Sequence, residues 1–123
     1  MIKGFFIDNS PWVEVLIRWG DEAQRSLAVL DTGFTGDLQI TPKMAQELRL
    51  KSSSTINVQI ANGQTIKVPV VFAVSSMEGE IKYVQALVSD GTPLVGINFL
   101  SKFSYKATVD CKNKIVSLNR VTN

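Results

Sequence analysis

The sequence predicts an all-β fold carrying one or two short helices, and three observations lead there. Apolar residues recur at every second position through several short runs, the period of a strand with one buried face. Turn-forming pairs such as Gly20-Asp21, Asn62-Gly63 and Asn113-Lys114 cut those runs apart. Only two stretches, one after Thr41 and one after Asn98, carry helical spacing. The 123 residues, 45% apolar and 20% charged, fit a single domain over residues 1–123 that buries a core without disulfides or metal.

Taken in order, Val13, Val15 and Ile17 alternate with Glu14, Leu16 and Arg18, giving a strand with one face mostly buried and edge packing by Trp12 and Trp19. Gly20-Asp21-Glu22 turns the chain into Ser26 to Leu30, a run apolar enough for a central strand, which ends on Asp31. Thr41 reads as an N-cap and Pro42 as the first helical residue. Met44, Ala45 and Leu48 form the helix's apolar stripe, with Glu47 and Lys51 as an ion pair along it. The helix is expected to stop at Ser52-Ser53-Ser54, whose hydroxyls compete for backbone hydrogen bonds and favour loop.

Ile56, Val58 and Ile60 then face Ile66, Val68 and Val70 across a hairpin. A two-residue Asn62-Gly63 loop would put the two apolar sets on opposite faces. A three-residue Ala61-Asn62-Gly63 loop, with Gly63 left-handed, puts them on one face and is the register predicted. Pro69 cannot donate to a ladder, so its strand is expected to be at an edge or bulged there. A strand from about Ile81 to Val88 leads through Ser89-Asp90-Gly91 to Leu94-Val95-Gly96. Asn98 is the expected cap of a short helix whose Phe99 and Phe103 face the core. Tyr105, Ala107, Val109 and Cys111 alternate with polar residues as a half-buried strand, so Cys111 is read as a packing residue. Asn113-Lys114 returns the chain into Ile115 to Leu118.

Composition narrows function by exclusion. With no histidine, Ser-His and Cys-His nucleophile pairs and the HExxH zinc site are absent, so hydrolysis here must rest on carboxylates. The 13 basic and 11 acidic residues give +2 without a run of Lys or Arg, so no nucleic acid is expected as a partner. The lone Cys111 cannot form an internal disulfide and fits a reducing, cytoplasmic location. The apolar run Gly4-Phe5-Phe6-Ile7 is too short for a signal-peptide core and is stopped by Asp8, and no run approaches membrane-spanning length, so a soluble protein with no membrane partner is expected.

Asp31-Thr32-Gly33 directly follows a buried strand, which would hold the carboxylate at a strand end beside a residue that admits close approach. As a bare tripeptide it is also an ordinary Asp-x-Gly turn. Its surroundings resemble the retroviral-type, or retropepsin-like, aspartic peptidases. Val29-Leu30-Asp31-Thr32-Gly33-Phe34-Thr35-Gly36 is similar to their apolar-apolar-Asp-Thr-Gly signature, and Leu94-Val95-Gly96-Ile97-Asn98 resembles their second signature before the C-terminal helix. The Asn62-Gly63 hairpin lies between the two, where that family carries its flap. The likeness in order and spacing runs from about Val13 to Leu118.

This resemblance implies a closed or partly open β-barrel of retropepsin-like type and an aspartic endopeptidase needing no cofactor or metal. One motif per chain supplies one carboxylate of two, so the active species is expected to be a homodimer sharing a pair of Asp31 residues about a two-fold axis. Thr32 hydroxyls would bond across the dimer. Gly33 completes the motif, and Phe34, Thr35, Asn62, Gly63 and Gln64 are the expected contacts to a peptide or protein substrate. The residues alone also allow Phe34 to be core, Gly96 to be a simple tight bend, and Asp37 to be either a polar cleft residue or an exposed turn carboxylate. The apolar ends Ile2 to Ile7 and Ile115 to Leu118, otherwise lacking a partner, are the expected dimer contacts. The sequence departs from many viral members at Phe34, where they carry a small residue, and at Ile97, where they carry an Arg that supports the dimer. The helix after Thr41 is closer to cellular relatives, and one glycine at the hairpin tip is fewer than the viral flap carries. The competing reading is a non-catalytic dimerisation or peptide-binding module on the same fold.

Overall fold

The computed structural model describes residues 1–122. The alternating runs become strands of one 10-stranded sheet. In chain order the elements are β1 (Ile2–Ile7), β2 (Ser10–Trp19), β3 (Glu22–Leu30), β4 (Leu38–Ile40), helix α1 (Pro42–Glu47), β5 (Ser52–Gln59), β6 (Thr65–Met77), β7 (Glu80–Val88), β8 (Leu94–Val95), helix α2 (Ile97–Lys102), β9 (Tyr105–Asp110) and β10 (Ile115–Arg120). Laterally the order is β5-β6-β7-β4-β8-β3-β2-β1-β10-β9. A further pairing of β6 with β2, Leu16 opposite Ser76 and Arg18 opposite Val74, closes β2, β3, β8, β4, β7 and β6 into a ring. This is the all-β architecture with two short helices that the sequence predicts. No helix among the described residues is long and apolar enough to cross a membrane.

The core follows the strand period. Val13, Val15 and Ile17 of β2 are buried with Ala28 and Leu30 of β3, Leu38 and Ile40 of β4, and Val84 and Ala86 of β7. The two helices close this cluster. Phe99 and Phe103 of the α2 turn are fully buried with ring centroids 4.9 Å apart, and burial of each such ring contributes about 1.5–3 kcal/mol. At α1, the Thr41 hydroxyl accepts from the Met44 N–H at 3.2 Å and Pro42 opens the helix, as expected. Ala45 and Leu48 are its buried residues.

Several local expectations are overturned. The helix ends at Glu47, with Leu48 as its C-cap and Arg49 left-handed at φ 58°, so Glu47 and Lys51 do not share a helix face. The Glu47 carboxylate instead accepts from the Gln24 side chain at 2.9 Å. Ser52-Ser53-Ser54 is not loop but the first part of β5, because β6 offers it an edge to pair with; the ladder is irregular between Ser52 and Ser54. Asn98 does not cap α2. Gly96 occupies the N-cap position, without a side-chain cap, and the Asn98 amide turns elsewhere. Cys111 is exposed, because the alternation of β9 ends at Asp110 and the chain turns there.

The β5–β6 hairpin has the predicted register. Ile60 N–H donates to the Gln64 carbonyl and Gly63 N–H to the Ile60 carbonyl, both at 2.9 Å, enclosing Ala61-Asn62-Gly63 with Gly63 at φ 85°. Ile56 consequently stands opposite Val68 and Val58 opposite Ile66, on one face. Pro69 falls opposite Thr55, just before β6 takes up β7 at Val70, so its missing N–H lies on a stretch where β5 is the strand neighbour. The terminal strands differ most from expectation. β1 lies between β2 and β10, with Ile2 opposite Leu118 and Phe5 opposite both Ile115 and Trp12. The apolar ends therefore have a partner within the chain, namely each other.

Candidate active site

Asp31 stands where β3 ends. Here β8 runs parallel to β3, with Val29 opposite Leu94 and Leu30 opposite Val95, while β4 lies antiparallel on the far side of β8. The Asp31 N–H donates to the Val95 carbonyl at 3.0 Å, so the last bond of the strand ladder fixes the residue itself. Its Oδ1 accepts from the Gly33 N–H at 2.9 Å, and its carbonyl accepts from the Phe34 N–H at 3.2 Å. A tight turn thus orients a partly exposed carboxylate, with Thr32 and Gly33 exposed beside it.

The segment that follows is bolted to the second signature. Ile97 N–H donates to the Phe34 carbonyl at 2.9 Å, Asn98 N–H to Gly36 at 3.2 Å, and Gly96 N–H to Asp37 at 2.9 Å. Three successive amides at the start of α2 are therefore spent on the loop after Asp31. Gly96 is buried where the two segments cross. A Cβ there would stand inside contact with the Gly36 carbonyl oxygen and 2.7 Å from that of Phe34, so its role is close approach and not merely a bend. The Phe34 ring covers Gly36 and Gly96, since a Cβ on either would meet its atoms at 2.7 to 2.8 Å.

Asp37 is not an exposed turn carboxylate; it is a buried polar residue in the wall of a cavity it shares with Phe34 and Thr35. It is 4% exposed, and its carboxylate gathers donors from two elements. Oδ1 accepts from the Asn98 amide at 2.6 Å; Oδ2 accepts from the Gln85 backbone N–H at 2.9 Å and from Lys102 Nζ at 2.7 Å. Lys102 also donates to the Tyr83 carbonyl at 3.0 Å. The buried carboxylate is thus paired and hydrogen-bonded, as buried charge requires, and it ties the loop after Asp31 to β7 and α2. Lys102 was not legible as a member of this group. Its spacing of four from Asn98 puts both on one face of α2, but only the fold shows that Asp37 waits on that face.

Of the expected substrate contacts, Phe34 and Thr35 line a cavity of about 160 Å³ with Leu38, Ile56, Gln85 and Leu87. The hairpin contributes Ile56 to that cavity, from the strand rather than the tip. Asn62, Gly63 and Gln64 are exposed at the tip, where Asn62 Oδ1 accepts from the Gln64 N–H at 2.9 Å.

Residues 14–99, which include both signatures, match the aspartyl protease family. The chain belongs to that family. Solved structures agree on the fold. The EIAV protease, determined in complex with an inhibitor, is 18% identical, with 85% of this chain and 98% of that one covered at a TM-score of 0.66. A retropepsin-like aspartic protease from Rickettsia conorii is 17% identical, with 100% of this chain and 91% of that one covered at a TM-score of 0.65. No curated protein matches the sequence. In this aspartyl protease family chain, β1, β9 and β10 lie outside the matched residues.

Proposed function

We propose that the chain is an aspartic endopeptidase, active as a homodimer in which Asp31 of each copy supplies one carboxylate of a shared pair. The observation that carries this reading is a single Asp31-Thr32-Gly33 turn, pinned at a strand end with its carboxylate partly exposed, in a chain of the aspartyl protease family. One carboxylate is half of what the chemistry needs. Two carboxylates about 3 Å apart cannot both ionise, so the pair holds one proton. The ionised member takes a proton from water as its oxygen attacks the peptide carbonyl, and the protonated member gives its proton to the carbonyl oxygen. Collapse of the tetrahedral diol breaks the C–N bond as the amine nitrogen receives a proton back from the pair. Thr32, on the same turn, braces the two carboxylates across the axis. Phe34 and Thr35 bound the substrate side, and the peptide adds as an extended strand under the hairpin tips Asn62-Gly63-Gln64. The exposed Cys111 thiol suits a reducing compartment such as the cytoplasm.

Incubation with an unbiased peptide mixture from acidic to neutral pH, followed by product sequencing, tests this directly. Wild type should release new termini, and Asp31→Asn, which preserves size but can neither take nor share a proton, should release none. Cleavage by Asp31→Asn at the wild-type rate, or peptide binding by wild type without any cleavage, would replace the enzyme with the peptide-binding module.

A further inference from the structure

We propose that the outer face of β2, β6 and β7, around Val74, Ile81 and Tyr83 with Arg18 beside them, is a docking surface for an extended, acidic and apolar segment of another protein. None of these residues belongs to the Asp31 turn, the hairpin tip or the terminal strands, so the surface is separate from the candidate active site.

Closure of the ring lays these three strands side by side. Ile81 is opposite Ser76 and Ser76 opposite Leu16; Tyr83 is opposite Val74 and Val74 opposite Arg18; Gln85 is opposite Phe72. Directly paired residues share a face, and here it is the face away from buried Ala73, Ser75, Met77, Val84 and Ala86. Tyr83 is 74% exposed, Ile81 61% and Phe72 43%. Single exposed apolar residues are ordinary, but large ones gathered on adjacent strands around Val74 form a patch, and such patches mark interaction sites. A cavity lies at either end of the patch. The walls of one, of about 250 Å³, include Phe72, Tyr83, Gln85 and Lys102; the other, of about 240 Å³, is lined by Arg18, Trp19, Gly20, Val74 and Ile81.

Charge selects the occupant. Arg18 is exposed and pairs with no carboxylate among the described residues, whereas the acids of these strands are already committed. Glu14 is paired to Arg25 at 3.0 Å, and Glu80 to Lys82 and Arg120, both at 3.2 Å. Asp21, at the turn beyond Trp19, lines a different cavity together with Leu48 and Arg49. The face therefore carries an unanswered positive charge beside apolar surface, and its complement is a carboxylate beside apolar side chains. A second copy does not supply one, since an isologous contact would need the same face to carry that acid itself. An anionic lipid surface needs a cluster of about 4–8 cations, and a nucleic acid a basic stripe, where this face has one free guanidinium. The dimensions suit a segment. Ile81 to Gln85 spans about 13 Å, which about five extended residues cover, and Arg18 stands two strand steps, about 10 Å, from Tyr83.

Nuclear magnetic resonance titration of isotope-labelled Asp31→Asn protein tests this, because that variant spares an added peptide from hydrolysis. The probe is Leu-Ser-Leu-Ser-Leu-Ser-Glu with blocked ends, which puts the leucines and the glutamate on one side of an extended chain; its counterpart ends in lysine. The glutamate peptide should shift the amides of Phe72, Val74, Ile81 and Tyr83 and bind at least about tenfold more tightly than the lysine peptide. Arg18→Glu should invert that preference and Tyr83→Ala should weaken both peptides. Lys43→Glu, an equal charge change at an exposed position of α1, should alter neither. Arg18 and Tyr83 are both exposed, so these variants should fold, and if one does not the other still reads the face. Equal binding of the two peptides, shifts confined to the Asp31 turn and the hairpin tip, or no shift at millimolar peptide overturns the proposal. It is equally overturned if those four amides shift on concentrating the protein alone, which assigns the face to a second copy. The same holds if they shift with anionic vesicles but not with the peptide, which assigns it to a membrane.

Discussion

Three donors converge on the Asp37 carboxylate, and one of them, the Lys102 ammonium, carries the charge that the buried carboxylate balances. A flipped Asn98 amide can accept from an NH₂ put in its place, but an amide leaves the Lys102 ammonium without its countercharge. Asp37→Asn should therefore cost about 1.5–3 kcal/mol despite being nearly isosteric. Lys102→Met, which keeps the apolar stem but strips the countercharge, should cost a similar amount, about 1.5–3 kcal/mol. Chemical denaturation of both variants checks this; unchanged midpoints would mean that the network contributes nothing net. Gly96 is the steric counterpart. Gly96→Ala pushes a Cβ into two backbone carbonyls that belong to the loop after Asp31, so nothing flexible can yield. A loss at or above the upper end of the ordinary overpacking range, about 3 kcal/mol, is expected in the thermal melt, with weaker amide-exchange protection at Ile97 and Asn98.

Among the elements, the two hairpins respond to different variables. In β5–β6, Gly63 at φ 85° sits at an exposed tip with open space around it. Gly63→Val should cost only about 1–2 kcal/mol of stability, because the strain is local, but should lower catalytic efficiency at least tenfold (roughly 1.4 kcal/mol) if the hairpin closes over substrate. Equal kcat/KM in the variant would remove the hairpin from the mechanism. In β9–β10, the Asp110 carboxylate accepts from the Asn113 N–H at 2.9 Å, the Asn113 amide at 2.9 Å and the Lys112 N–H at 3.1 Å. The bonds from Asn113 hold its pKa below the ordinary 3.8. A pKa lowered by folding contributes stability above the unfolded value and loses it as pH falls through the folded one. Asp110→Ala should accordingly lower the melting temperature at neutral pH, and the gap to wild type should narrow as pH falls below 3.8.

At the scale of the whole molecule, the geometry turns on a sheet whose terminal strands are satisfied within the chain. That arrangement leaves a subunit with its chain ends paired to each other, sheet edges at β5 and β9, and one carboxylate where an aspartic peptidase needs two. Assembly and activity should then be linked. Specific activity should fall on dilution through the dissociation constant, and activity should favour mildly acidic pH, where a pair of carboxylates shares a proton. In Asp31→Asn the dimer should be as tight as wild type or tighter near neutral pH, because two like charges at the axis are removed. Sedimentation of wild type and variant across pH measures this; weaker dimerisation in the variant would place the two Asp31 residues apart.

The sequence by itself determined what local chemistry determines: the strand periods, the Thr41-Pro42 helix start, the three-residue hairpin loop with left-handed Gly63, and the Asp31-Thr32-Gly33 turn at the end of an apolar strand. Each depends on residues within a few positions of one another, where sterics and hydrogen bonding act without reference to the rest of the chain. Tertiary structure decided whatever required a distant partner. Ser52-Ser53-Ser54 becomes strand because β6 presents an edge to it, against its own preference for loop. Asn98 forgoes the cap and Asp37 becomes buried because α2 and the loop after Asp31 meet, although 61 residues separate them in sequence. The chain ends pair with each other, across more than a hundred residues, because β1 and β10 are brought side by side. Only pairing across the fold reveals which of two apolar faces is covered, since an alternating pattern marks that there are two faces but not what packs on each.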